Sequence, residues 1–277
     1  MENDMSNSLF LQYSRLVYEQ CGINLHEGKK ALLQARLNKR LRMTGIDTYK
    51  EYFELITSGG NPGEFVNFLD SISTNLTYFF REIQHFDFIE RVGLPELVEA
   101  KRKERNTKIR IWSAGCSTGE EPYSLAMCVL AHLQDNTKWD FKILATDIST
   151  RVLEMASRGV YSEEKVKKVP PALRQAYFRK AGGGNGASDF QVVPDVKRLI
   201  TFHRLNLKEP YPFKGPFDFI FCRNVMIYFD KKTQEELVNK MSGFLGVGGY
   251  FCVGHSESLT GLAHKLSYVQ PAIYRNK

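Results

Sequence analysis

The 277-residue chain reads as an α/β protein: a mostly parallel sheet covered by helices, an all-helical region before it, and a small antiparallel insertion within it. Three patterns predict this. Residues 9–72 carry apolar side chains at spacings of three and four. From about residue 108, short β-branched and aromatic runs alternate with helical stretches. Ile109 to Ser124 passes from a strand through small residues into a helix, the arrangement found where open α/β sheets bind ligands.

In the first region, Phe10, Tyr13, Val17 and Cys21 form one helical face, closed by Gly22. Glu27 to Met43 is a second helix, with Leu33, Leu37 and Leu41 in an apolar line and Gly45 as its stop. Thr48-Tyr-Lys-Glu51 is a capping box before Tyr52, Phe53, Leu55 and Ile56. After the break Gly59-Gly-Asn-Pro-Gly63, the residues Phe65, Phe68, Leu69 and Ile72 give a fourth helix. Such helices suit a small bundle. Lys101, Arg102, Lys103 and Arg105 then look like an exposed helix end.

Strands are predicted at 109–113, 141–146, 199–203, 217–222, 249–254 and 267–274, the last returning antiparallel. Helices are expected around 122–134, 149–158 and 232–245. Between Gly159 and Arg198 the order is interrupted by Pro170-Pro171, a short helix at 173–178 and a glycine run. Asn185-Gly186 is a hairpin signal, with Tyr177-Phe-Arg179 and Phe190-Gln-Val-Val193 as arms, so this insertion is expected to be a small antiparallel unit.

The turn after the first strand is the most informative stretch. Ser113 to Gly119 are small, which lets a ligand lie against bare backbone. Glu120 and Glu121 follow, and no Lys follows the last glycine, so the Walker pattern is absent and a phosphate would be repelled. Acids there suit a ligand with a cationic end and hydroxyls, as in S-adenosylmethionine. Asp147 ends the next strand, where an acid holds ribose hydroxyls or caps the following helix. That spacing alone also admits NAD. Arg223 and Asn224 stand at the carboxyl end of another central strand, facing the same cleft.

A net charge of +7 suggests an acidic partner: nucleic acid, an acidic protein or anionic lipid. Six basic residues gather between Lys29 and Arg42. No apolar run approaches the roughly 20 residues of a membrane helix, and the N-terminus shows no secretory pattern. The five cysteines are scattered without metal spacing, so reduced thiols, a cytoplasmic setting and no metal centre are expected.

Three longer segments together resemble the chemotaxis receptor glutamate methyltransferases, the CheR family. They are Asn75-Leu-Thr-Tyr-Phe-Phe-Arg81, Ser117-Thr-Gly-Glu-Glu-Pro-Tyr-Ser124 and Phe221-Cys-Arg-Asn-Val-Met-Ile-Tyr-Phe-Asp230. Asp147, Asn206-Leu207 and Gly254-His-Ser-Glu257 match as well. The resemblance implies the class I S-adenosylmethionine-dependent methyltransferase fold: a Rossmann-like seven-stranded sheet with its last strand inserted antiparallel. The expected organisation is a helical domain at 1–73 with a basic docking face, a linker at 74–90 contributing to the cofactor site, and a methyltransferase domain at 91–277 carrying the β-subdomain at 160–198.

By motif position the resemblance implies cofactor contacts at Asn75, Thr77, Arg81, Gly115, Glu121, Asp147, Asn206, Leu207, Arg223 and Asn224. It puts Arg81 and Tyr228 nearest the transferred methyl group. The implied reaction is methyl transfer to glutamate side chains on the cytoplasmic part of chemoreceptors. Lys29, Arg36 and Arg40, at spacings of seven and four, would present a basic stripe to the acidic methylation helices of the receptor. In some members of the family the β-subdomain docks a pentapeptide at the receptor's C-terminus. This chain has Gln191-Val-Val where such members carry arginine-rich sequence, which weighs against that tether. A methyltransferase acting on nucleic acid is the rival reading, and no nucleic-acid partner is expected, because the 223–228 segment lacks the Asp/Asn-Pro-Pro-aromatic sequence expected for base N-methylation. A cofactor-sensing scaffold without activity is disfavoured by the intact polar set at 75–81, 121, 147 and 223–228.

Overall fold

The computed structural model describes residues 5–73, 75–133, 138–181 and 189–277. Four helices come first: α1 (Asn7–Cys21), α2 (Lys30–Thr44), α3 (Tyr49–Thr57) and α4 (Pro62–Ile72). Ser6, Thr48 and Asn61 cap the first, third and fourth, their side chains accepting from the backbone N–H groups of Leu9, Glu51 and Glu64. The stretch expected as one helix from Glu27 splits. Residues Glu27–Lys29 form a 3₁₀ turn, and α2 starts only at Lys30, because Gly28 gives little helical preference there. The predicted apolar faces meet in one core, in which Tyr13, Val17, Leu37, Tyr52 and Phe68 are fully buried.

The two arginines of the stripe hold this bundle together. Arg40 forms a two-pronged ion pair with Glu64 on α4, at 2.9 and 2.6 Å, and Tyr52 Oη donates to the same carboxylate at 2.6 Å. Arg36 Nη1 donates to the carbonyl of Ser71 at 3.0 Å, at the end of α4. Of the three, only Lys29 is classed as exposed.

The chain then runs through Asn75–Arg81 into α5 (Gln84–Phe88), a π-helical turn and α6 (Leu94–Lys103), all packed on the sheet. Lys101, expected at an exposed helix end, instead pairs with Asp218 at 2.7 Å. The sheet alternates with helices: β1 (Lys108–Ala114), α7 (Glu120–His132), β2 (Asp140–Asp147) and α8 (Thr150–Arg158). The insertion holds β3 (Val160–Ser162), α9 (Glu163–Val166), α10 (Pro171–Tyr177), β4 (Phe178–Lys180), β5 (Asp189–Val192) and α11 (Pro194–Lys197). Then follow β6 (Ile200–Arg204), β7 (Phe217–Cys222), α12 (Lys231–Ser242), β8 (Leu245–Val253), β9 (Ser267–Gln270) and β10 (Ile273–Arg275).

The seven-stranded sheet has the order β6-β2-β1-β7-β8-β10-β9. Its first five strands are parallel, and β10 lies antiparallel between β8 and β9. The single last strand expected at 267–274 is therefore a hairpin. Pro271 fits the first corner position of its turn, and Ala272 takes the left-handed conformation at φ 64°. With Ala in place of the usual Gly, the turn left little trace in the sequence. The insertion is a three-stranded antiparallel sheet of order β3-β5-β4. Phe178–Lys180 pairs with Phe190–Val192 close to the predicted arms, while Asn185-Gly186 lies outside the described residues.

The strand order reverses between the parallel strands β1 and β7, which opens a crevice at their carboxyl ends. The helical domain is fastened beside it. Carbonyls in the last turn of α1 accept from the other domain: Gln20 O from Asn206 Nδ2 at 2.6 Å, and Glu19 O and Tyr18 O, the latter also capped by the Gly22 N–H, from Lys208 Nζ at 3.0 and 2.9 Å. Tyr18 Oη donates to Asp230, and the Asn24 N–H to the carbonyl of Tyr228.

Burial alone would raise the Glu64 carboxyl, but hydrogen bonds from Arg40, Tyr52 and Asn67 outweigh it and hold the group below the usual carboxylate range. A depressed folded value adds stability that is present above the unfolded value, near 4.3, and is lost as pH falls toward the folded one. Denaturation below about pH 4.3 should therefore show falling stability in the wild type. Arg40→Ala should cost about 3–5 kcal/mol at neutral pH by stranding a buried carboxylate. A loss under about 1 kcal/mol would mean that the pair is solvent-screened like a surface bridge.

Candidate active site

One cleft opens at the carboxyl ends of β1, β2 and β7, between the sheet and the helical domain. Asn75, Thr77, Arg81, Gly115, Glu121, Asp147, Asn206, Leu207, Arg223, Asn224 and Tyr228 all line it, and so does Lys29. Arg36 and Arg40 do not.

Local geometry explains why these residues converge. Strand register sets Ala114 beside Thr146 and Cys222, so Gly115 falls between Asp147 and Arg223. Gly115 has φ 78°, and a Cβ there would lie 2.4 Å from Val225 Cγ2. Only glycine lets the β1 turn pass so close to the chain leaving β7. Ser117, also left-handed at φ 49°, turns its N–H onto Asp147 Oδ2 at 2.8 Å, and its hydroxyl donates to the Asn75 carbonyl.

Asp147 is 7 % exposed. Its second oxygen accepts from the Ser149 N–H at 3.0 Å, while Ser149 itself caps α8. Asp147 thus orders both the β1 turn and the start of α8, and each carboxylate oxygen keeps a further lone pair. Burial pushes its carboxyl up, against the pull of the Ser149, Ser117 and Ile148 backbone donors.

Arg223 is 5 % exposed and spans the cleft floor. Its Nη1 donates to Glu121 at 2.9 Å, and its Nη2 to Glu82 at 3.1 Å and to the Arg81 carbonyl. The other oxygen of Glu121 accepts from Ser113 at 2.6 Å. Arg223, Asn206 and Asn224 therefore spend much of their polar capacity on the protein. Asn206 clamps α1, and Asn224 donates to Glu82 at 3.2 Å.

Glu120, the other acid of the turn, is fully buried and pairs with Lys165 of the insertion at 2.6 Å. Glu257 accepts the backbone N–H groups of Gly254, Asn224 and Ile227, which pins the loop bearing Tyr228. At the rim, Arg81 donates to the Leu76 carbonyl at 2.7 Å. Tyr228 is partly buried, and its hydroxyl has no partner among the described residues.

Sequence reasoning missed the wall supplied by the helical domain: Cys21, Ile23, Asn24, Leu25 and Leu32. It also missed Glu82, which directly follows the Asn75–Arg81 motif and was readable only as one more charge. Its φ of 57°, beside Phe80 at 55°, shows how tightly that connector bends.

The donor set fits S-adenosylmethionine. Asp147 and Glu121 offer acceptors for hydroxyls and an ammonium, and Ile148, Leu205, Leu207 and Val225 give an apolar wall for a purine. Fold and cleft together define an S-adenosylmethionine-dependent methyltransferase. The SAM binding domain of the CheR methyltransferases matches residues 75–274, and their all-alpha domain matches residues 8–73. A chemotaxis protein methyltransferase of Borreliella burgdorferi is 42% identical over 94% of this chain and 91% of its own. That of Escherichia coli K12 is 38% identical over 98% and 91%. The chain belongs to the CheR methyltransferase family. All five cysteines are free and buried, and no helix of the described residues is long and apolar enough to cross a membrane.

Asp147→Ala should weaken S-adenosylhomocysteine binding by about 1.5–3 kcal/mol, roughly ten- to a hundredfold, through lost charge-assisted hydrogen bonds. Calorimetry on a variant shown to be folded checks this. Affinity within about twofold of wild type would leave Asp147 with only its backbone duties.

Proposed function

We propose that the protein transfers a methyl group from S-adenosylmethionine to glutamate side chains in the cytoplasmic domains of chemoreceptors, giving glutamyl methyl esters in chemotaxis adaptation. The cofactor supplies a methyl group made electrophilic by its sulfonium. A glutamate carboxylate, ordinarily ionised above about pH 4.3, is already the nucleophile, so no general base is required.

The observation that supports this reading is that Arg81 and Tyr228 both line the cleft that holds Glu121 and Asp147, and that the Tyr228 hydroxyl has no partner among the described residues. The forked guanidinium of Arg81 aligns the incoming carboxylate, and Tyr228 donates one hydrogen bond to its second oxygen. Both contacts stay modest, because a carboxylate held too strongly is a poorer nucleophile. The enzyme's work is positioning in a site with little water. Asn75 and Thr77 from the connector, with Gly115, Glu121 and Asp147, hold the cofactor. Leu207 lies against its apolar part, and Asn206, Arg223 and Asn224 keep that wall in shape.

We assign receptor docking to the exposed cations of the α2 segment. Lys29 stands on the cleft rim, and Lys39 and Arg42 are exposed along the helix. They suit acidic helices, and the proposed setting is the cytoplasm. Arg36 and Arg40 support that surface from behind through α4. A receptor C-terminal peptide at the β-subdomain is not part of the proposal, since exposed Gln191 offers no cation to a peptide carboxylate.

Incubation with methyl-labelled cofactor and receptor fragments should give base-labile label released as methanol; label stable to base would contradict the ester. Tyr228→Phe should lower the single-turnover rate about tenfold or more while leaving S-adenosylhomocysteine affinity nearly intact. A wild-type rate at saturating substrates would remove Tyr228 from the chemical step.

A further inference from the structure

We propose that Glu82, His85 and His255 form a binding site for a divalent transition-metal ion of the zinc class, which competes with Arg223 for the Glu82 carboxylate. Each of the three offers one ligand atom, and these atoms lie within 4.8 Å of one another. Spacing in the sequence hid the group, because His255 comes from the loop after β8, far along the chain from the other two.

A second, independent feature points to a ligand. His85 is 1 % exposed, and neither of its ring nitrogens has a hydrogen-bond partner. A buried imidazole with both nitrogens unanswered is uncommon in a folded protein. Its Nδ1 lies 3.6 Å from Glu82 Oε2. Two ligands about 2.0–2.1 Å from a tetrahedral zinc stand roughly 3.4 Å apart, so this pair is nearly set.

The His255 ring lies over that of His85, with centroids 4.9 Å apart and planes at 33°. His255 is exposed, so it provides the path of entry, the ligand that swings inward and a fourth position open to water. Its backbone N–H donates to Glu82 Oε2 at 3.1 Å, which keeps its loop against the site. Two imidazoles and one carboxylate select zinc, cobalt or nickel over magnesium and calcium, which require oxygen ligands.

Occupancy has a consequence for the cleft. Glu82 also neutralises Arg223, the residue that joins Glu121 to the 75–81 connector. A metal ion and the guanidinium draw on one carboxylate, so the ion loosens that connector and weakens cofactor binding. By linkage, bound cofactor weakens the metal to the same extent.

Calorimetry of the full chain with zinc chloride tests this, with and without S-adenosylhomocysteine. Wild type should bind one ion in the micromolar range, and His255→Ala, an exposed substitution, should bind at least about tenfold more weakly with an unchanged metal-free melting curve. Zinc should raise the Kd for S-adenosylhomocysteine severalfold in wild type and not in His255→Ala. Cobalt should give a visible spectrum of nitrogen and oxygen ligation without thiolate bands. No binding by wild type, equal binding by His255→Ala, or bound zinc that leaves S-adenosylhomocysteine affinity unchanged would overturn the proposal.

Discussion

The Arg223 guanidinium is the constraint on which the cleft depends. It leaves the carboxyl end of β7, is 5 % exposed, and is held by carboxylates from two other elements: Glu121 on α7 and Glu82 on the connector. A charge so buried is tolerated only when paired and hydrogen-bonded. The pairing fixes three separate stretches of chain against each other at the sheet's switch point. From it follow the position of Arg81, whose carbonyl Arg223 holds, and that of Asn224, which shares Glu82. The left-handed turns at Phe80, Glu82 and Asn224 are the backbone cost of this arrangement.

The helical domain extends the same logic. Its first helix ends on Asn206 and Lys208, and the segment after it joins Tyr228 through a backbone hydrogen bond. The domain proposed to meet the receptor thus also walls the cofactor cleft through Leu25 and Leu32. The proposed docking face and the cleft are thereby tied together by hydrogen bonds between the two domains. Asp70 adds a further tie, accepting from Thr150 and the Arg151 N–H at the start of α8.

Much of this was legible in the sequence because it is local. The strand, small-residue turn and helix from Ile109 to Ser124 announce themselves by periodicity and glycine. The bundle's apolar faces follow from spacings of three and four. What stayed hidden is long-range or unusual. No spacing rule joins Arg223 to Glu82, 141 residues away, or gathers His85 and His255. Arg36 and Arg40 read as a surface stripe because charge on a helix ordinarily faces water, whereas α4 brings Glu64 and open carbonyls to meet them. The hairpin at Pro271-Ala272 escaped notice because an alanine occupies a position that glycine usually fills.

The claim that Arg223 organises the cleft is tested most directly by Arg223→Met, with S-adenosylhomocysteine binding measured by calorimetry and folding by circular dichroism. Removing the cation leaves Glu82 and Glu121 uncompensated, a cost of about 3–5 kcal/mol. Cofactor affinity should fall by at least about a hundredfold in a chain whose sheet and bundle remain folded, and neutralising both acids as well (Glu82→Gln, Glu121→Gln) should recover stability but not affinity. Near-wild-type affinity in Arg223→Met would contradict that claim.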